Sequence, residues 1–179
     1  MKIDSLKIHQ IENAGDQHFD DFWKIYSASF PLNERRVSNQ QTDVFKKREY
    51  QVDAYLSNNL IIGFIAFWTA KAFVFIEHFA IAPEVRGKGL GSAILNSFIA
   101  GKKIPVILEI EPPVDDLTFR RLRFYESLGF MKNDHNHFQP PYHQTDQPLK
   151  LNILSYPCQI TADLYLQFSQ FQKNTVMCR

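Results

Sequence analysis

The run Arg86-Gly87-Lys88-Gly89-Leu90-Gly91-Ser92 holds the residues whose types and spacing most directly suggest chemistry. Glycines at three alternate positions let backbone N–H groups point inward with no Cβ in the way. An apolar strand enters the run through Glu77-His78-Phe79-Ala80-Ile81-Ala82. Beyond it, Leu90, Ile94, Leu95 and Phe98 recur at helical spacing, and Gly101 stands where a helix stop is expected. A strand, a glycine turn and a helix start together make an anion cradle, because the turn aims N–H donors and the helix adds the positive end of its dipole. A phosphate or pyrophosphate is the expected occupant. Two familiar phosphate loops are excluded. A Walker A loop needs Ser or Thr after Gly-Lys, and Gly89 follows Gly87-Lys88. A dinucleotide fingerprint needs a third glycine where Ile94 stands.

Other chemistry-bearing residues are scattered. Glu109 and Glu111 fall on one face of a predicted strand by its period of two, where they could read a cationic substrate or assist a base. Glu34 and Arg35, with Arg36, follow the Phe30-Pro31 break. His78 points opposite to Glu77 and is expected to be a satisfied core histidine. His135, His137 and His143 lack a carboxylate pattern, so no metal is expected. Cys158 and Cys178 have no metal-ligand spacing and read as reduced thiols in a cytoplasmic protein.

These residues need a scaffold, and 179 residues suffice for one domain, expected over 1–179. Sixteen Phe supply bulky core material. A net charge of +1 offers no global field for nucleic acid, so anion binding must be local. The longest apolar run, Leu60 to Trp68, is too short to span a bilayer, and Met1-Lys2-Ile3-Asp4 opens no secretory signal.

Taken in order, residues 2–11 alternate loosely as a first strand. Asp16 is a candidate cap for a helix with Phe19, Phe22, Trp23, Tyr26 and Phe30 on one face. A second helix is expected over 38–48. Strands are expected over 51–57, 60–69 and 73–82, the first two joined by Asn58-Asn59 as a tight hairpin. Their apolar residues fall on both faces, so helices should cover both. Residues 104–110 form a strand after the glycine-loop helix, which makes a strand–helix–strand unit with parallel strands. Asp115 or Asp116 opens a helix with Phe119, Leu122 and Tyr125 inward, and Gly129 stops it. Phe130 starts a further strand, 133–149 reads as polar loop, 149–156 as a last strand and 159–172 as a terminal helix. The sum is an α+β three-layer domain with a mixed sheet of about seven strands.

Arg86, Gly89 and Gly91 spell Arg-x-x-Gly-x-Gly, and this resembles the pyrophosphate-binding signature of the GNAT superfamily, the acetyl-CoA-dependent N-acyltransferases. The segment Phe124-Tyr125-Glu126-Ser127-Leu128-Gly129-Phe130 sits where that superfamily puts its counterpart. The run Arg120-Arg121-Leu122-Arg123-Phe124-Tyr125 with Gln139-Pro140-Pro141-Tyr142 resembles a bacterial branch of it. The resemblance implies an N-acetyltransferase using acetyl-CoA as donor and no metal. Pantetheine would lie between strands that splay near Ala82 and Glu111, against the backbone of Phe79, Ala80 and Ile81. The pyrophosphate would rest on the backbone from Arg86 through Gly87, Lys88, Gly89, Leu90 and Gly91 to Ser92. Tyr125 would serve as general acid toward the leaving thiolate, and Glu77 would help remove a proton from the amine. Glu34, Arg35, Glu109, Glu111 and Tyr142 are expected on the acceptor side. The family often has Asn and Ala where Thr118 and Arg121 stand here. The acceptor amine stays open between small molecule and peptide, a homodimer stays open, and a CoA-binding module without turnover is the alternative.

Overall fold

The computed structural model describes residues 6–177. Of the first strand expected over 2–11, residues 2–5 lie outside the described residues, and β1 spans Lys7–Gln10. Seven strands form one sheet in the order β1-β2-β3-β4-β5-β7-β6, antiparallel apart from the β4–β5 pair. The chain divides into two compact units, Met1–Thr69 with Ile76–Ala100, and Ala70–Phe75 with Gly101–Arg179.

The first unit carries β1, α1 (Phe19–Ser29), α2 (Ser38–Val44), β2 (Tyr50–Ser57), β3 (Leu60–Thr69), most of β4 (Val74–Ile81) and α3 (Leu90–Ala100). Asn58 and Asn59, at φ 49° and 65°, make the β2–β3 turn left-handed. That hand matches the twist of the paired strands, and Asn tolerates it better than most residues. β3 is apolar at nearly every position because both of its faces are covered. Phe64 meets Phe22 of α1 edge-on at 4.8 Å, and Phe67, of opposite parity, meets Phe98 of α3 at 4.9 Å. Burying such a ring contributes roughly 1.5–3 kcal/mol, so this central strand fixes both helical layers of the unit. Asp16 does not cap α1 directly. Its carboxylate accepts from the His18 N–H at 2.8 Å, holding the turn before the helix.

The second unit carries β5 (Val106–Ile110), α4 (Asp116–Ser127), β6 (Met131–Gln139), β7 (Leu149–Tyr156) and α5 (Ala162–Phe171), which runs on into a wider turn over Gln172–Val176. Asp115 caps α4 by accepting from the Thr118 N–H at 2.8 Å, while the Thr118 hydroxyl accepts from the Asp115 N–H at 3.0 Å. The helix ends with Phe130 N–H on the Tyr125 carbonyl and Gly129 N–H on the Glu126 carbonyl, and the rings of Tyr125 and Phe130 close the motif. Phe168 of α5 is fully buried against Phe73 and Phe75.

Two expectations are corrected here. The stretch 133–149 is loop only from residue 140, because β6 continues to Gln139. Its inward positions, Asn133, His137 and Gln139, are polar yet buried, so the strand lacks the apolar alternation that announces one. Phe119 is 44% exposed rather than inward, and the one fully buried residue of α4 is Thr118, held there by the cap.

Candidate active site

In the first unit, β4 leads through a short 3-10 turn, Pro83–Val85, into the glycine run and α3. Gly87 and Gly89 stand at φ +77° and +74°, and a Cβ built on either meets no atom within 4 Å. The left-handed backbone costs an L-residue roughly 1–2 kcal/mol. The open space beside both residues lets a ligand approach the main chain. This fits an anion held by N–H groups at the start of α3. The Arg86 side chain is occupied elsewhere, with Nε donating to the Ile81 carbonyl at 2.9 Å and a terminal nitrogen to Ser29 Oγ at 3.2 Å. It therefore braces the turn between strand and loop. On β4 burial alternates, with Ala80 inside and Phe79 and Ile81 partly exposed. β3 approaches this strand end so closely that a Cβ on Gly63 would lie 2.8 Å from the Ala80 carbonyl oxygen.

Glu77 projects from β4 into a buried polar cluster. Its carboxylate accepts from Arg36 Nη1 at 2.8 Å and from Trp68 Nε1 at 2.9 Å, with its side chain fully inaccessible. Burial alone would raise its pKa. The Arg36 guanidinium, assisted by His78 and the Trp68 N–H, more than offsets this and holds the carboxyl below its usual range. The Arg36 guanidinium also lies over the Tyr50 and Trp68 rings, and its backbone N–H donates to the Tyr26 hydroxyl. Arg36 is the member of this cluster that sequence reasoning left without a role. The approach of Glu34-Arg35-Arg36 to β4 links residues 41 apart in sequence, which no local pattern records.

The segment carrying Glu34 and Arg35 is pinned to the same strand. His78 Nε2 meets the Glu34 carbonyl at 2.9 Å, and the His78 ring packs edge-on against Tyr26 and Phe30. Arg35 donates to the Phe30 carbonyl at 3.0 Å and lies over Trp23.

In the second unit, Tyr125 is half-buried in the last turn of α4, with its ring between Phe124 and Phe130. Burial pushes its phenol up to about 12, moderated by Arg121. Among the described residues its hydroxyl has no hydrogen-bond partner, so this donor is available to a ligand. Thr118 and Arg121, the two departures from the resembled pattern, have local work. Thr118 caps the helix, and Arg121 is ion-paired with Glu111. The period-two pair on β5 is split by environment. Glu111 is two-fifths exposed, while Glu109 is buried and accepts from His137, from Gln139 at 2.8 Å and from Gln172 at 2.8 and 2.9 Å. Three donor groups from two segments make four contacts to Glu109, so it ties β6 and the end of α5 to β5 and has no spare lone pair for a substrate. Tyr142 is buried in the loop after β6. Among the described residues no group of three or more His, Cys, Asp or Glu could hold a metal ion, and no helix is long and apolar enough to cross a membrane.

Residues 49–132, from β2 to the start of β6, match the family model of the acetyltransferase (GNAT) domain. A solved structure from Bacteroides thetaiotaomicron, assigned as an acetyltransferase of the GNAT family, superposes with a TM-score of 0.89 at 26% identity, over 97% of this chain and 99% of that one. The fold is that of the GNAT acetyltransferases. YjbC of Bacillus subtilis (strain 168), assigned as an acetyltransferase, is 27% identical over 112 residues, 62% of this chain and 56% of that protein. The chain thus matches little more than half the length of this curated relative. The structure of yncA from Salmonella typhimurium, with its cofactor acetyl-CoA, shares the GNAT fold at a TM-score of 0.59 and 20% identity, over 88% of this chain and 96% of that one.

Proposed function

We propose that this GNAT-fold protein transfers an acetyl group from acetyl-CoA to an amine, which attacks the thioester directly. The observation that carries the reading is the glycine loop, with two left-handed residues, open space where their side chains would be, and a helix start behind them. The pyrophosphate is assigned to the N–H groups from Arg86 to Ser92 and the pantetheine arm to the strand end at Phe79, Ala80 and Ile81. Acetyl-CoA supplies the activated thioester. N–H groups of the Phe79–Ile81 stretch polarise its carbonyl, and the Tyr125 hydroxyl donates to the departing sulfur.

A carboxylate held below its usual range is ionised at neutral pH but is a weak base toward an ammonium near pKa ~10. The Glu77 environment therefore supports a positioning role, holding Arg36 and the segment that carries Glu34 and Arg35, while the amine attacks as its free base and the proton it sheds once the C–N bond has formed passes to the bulk buffer. Glu111, Glu34, Arg35 and Tyr142 remain the residues proposed to meet the acceptor.

The same environment favours a second reading, a CoA-binding module without turnover, because no carboxylate of the first unit's cluster is poised as a base. One experiment separates the two. Acetyl-CoA is expected to raise the melting temperature by mass action, with NAD and ATP doing much less. Release of thiol from acetyl-CoA is then followed against a panel of amines and N-terminal peptides. Stabilisation with thiol release supports the enzyme. Stabilisation with none supports the module, and equal stabilisation by ATP would overturn both.

A further inference from the structure

The first unit holds a cavity where β1 and the β2–β3 turn meet the segment before α1. Its volume is about 380 Å³, and His18, His9, Lys7, Asn58 and Asn59 line it. His18 is 6% exposed, yet among the described residues neither ring nitrogen has a hydrogen-bond partner. Its only described ring contact is His9, edge-on at 4.9 Å. A ring this enclosed, lining a cavity and with no described hydrogen-bond partner, offers its nitrogens to a ligand. The nearest acid is Asp16, whose charge also reaches the His18 ring. Asp16 spends one oxygen on the His18 backbone N–H at 2.8 Å and the other on His9 Nε2 at 2.8 Å. In the first turn of α1, Asp21 is held by Lys24 at 2.9 Å and Asp20 is exposed. Lys7 has no ion-pair partner among the described residues. The walls thus offer donors in an ammonium, an imidazole and two turn amides, while both Asp16 oxygens are already hydrogen-bonded.

We infer that this cavity binds the oxyanion head of a small organic acid or phosphate ester, with His18 and Lys7 as its principal contacts. Leu56 and the partly exposed Ile8 supply an apolar wall for the rest of the molecule. The site is separate from the glycine loop in residues and in chemistry. There the anion meets backbone N–H groups, here it meets side chains.

The test uses the full chain, with binding followed by calorimetry and by the imidazole nitrogen resonances of His18. The probes are inorganic phosphate, phenyl phosphate, hexanoate and neutral phenol. Phenyl phosphate or hexanoate should bind and shift the His18 resonances, phenol should not, and His18→Phe should weaken binding at least tenfold. Lys7→Met, at an exposed position that folding tolerates, should weaken it severalfold, and Gly89→Val should leave it unchanged. Three results would overturn the proposal. One is no anion binding, another is phenol binding as well as phenyl phosphate, and the third is anion binding that survives both His18→Phe and Lys7→Met but is lost in Gly89→Val. The last would place the anion on the glycine loop. The phosphate ester and the carboxylate, compared on the wild type, identify which head group the cavity takes.

Discussion

Replacing Tyr125 by phenylalanine removes one oxygen and keeps the ring that packs between Phe124 and Phe130. The size of the effect follows from the phenol's environment. With its pKa pushed up to about 12, the phenol stays protonated throughout the accessible range. Full transfer of its proton to a thiolate near pKa ~8.5 would run uphill by about 3.5 units, or about 5 kcal/mol. The hydroxyl is therefore expected to stabilise the departing sulfur by a charge-assisted hydrogen bond and leave its protonation to water. Such a bond contributes roughly 1.5–3 kcal/mol, so kcat should fall about 10- to 150-fold. Because the sulfur is neutral in the bound thioester, KM for acetyl-CoA should change by less than about twofold. The pH profile carries the same signature: kcat should show no descending limb belonging to Tyr125 below about pH 10. The assay is single-turnover acetyl transfer followed by thiol release, so that slow product release cannot mask the chemical step. An unchanged single-turnover rate would make Tyr125 a packing residue. A loss confined to KM would move it to the binding of the pantetheine arm.

Glu77→Gln leaves the buried Arg36 guanidinium facing an uncharged amide, and urea unfolding should show a loss of about 3–5 kcal/mol. Combining it with Arg36→Met should recover part of that loss, and a single-mutant loss under 1 kcal/mol would show the pair to be dispensable. The pH dependence of the pair has a definite sign. The folded pKa of Glu77 is depressed, so its contribution is complete above the unfolded carboxylate range and disappears as pH falls through the folded value; melting curves of Glu77→Gln should lack this acid-side component. Gly89→Val forces a side chain onto a left-handed backbone beside the proposed pyrophosphate, and it should abolish stabilisation by acetyl-CoA while far-ultraviolet dichroism is retained. Gly63→Ala should lower the melting temperature by several degrees, because its methyl meets the Ala80 carbonyl at 2.8 Å and the backbone must shift.

The legible parts of this chain are those whose cause is local. The glycine turn reads from sequence because the left-handed backbone at Gly87 and Gly89 demands a residue type there. The β2–β3 hairpin reads from Asn58-Asn59 for the same reason. The capped start of α4 at Asp115 reads because a helix end must satisfy its own N–H groups. β3 reads as a strand, and as one covered on both faces, because burial on both faces removes every polar position. Only part of Phe19–Phe30 follows its stripe, since Trp23 and Phe30 lie at the margin of the buried face while Phe22 and Tyr26 are fully inside.

The illegible parts are those whose cause is a distant partner. β6 fails to announce itself because its buried positions carry Asn133, His137 and Gln139. Polar residues inside a strand are stable only when donors and acceptors from elsewhere complete them. Ser155 and the Ile160 N–H complete Asn133, and Glu109 completes His137 and Gln139. None of these partners is visible in a nine-residue window. Glu77 poses the same problem on the functional side. Its position on the strand before the glycine loop suits a base, but its protonation is set by Arg36, forty-one residues earlier. Read alone, the carboxylate suggests proton transfer; with its partner in place it is a fixed negative charge that holds a neighbouring segment. Glu109, expected on the acceptor side, is likewise tied to His137, Gln139 and Gln172, partners that no local pattern records. The glycine loop escapes this ambiguity because its chemistry is carried by main-chain groups, whose direction is set by the turn itself.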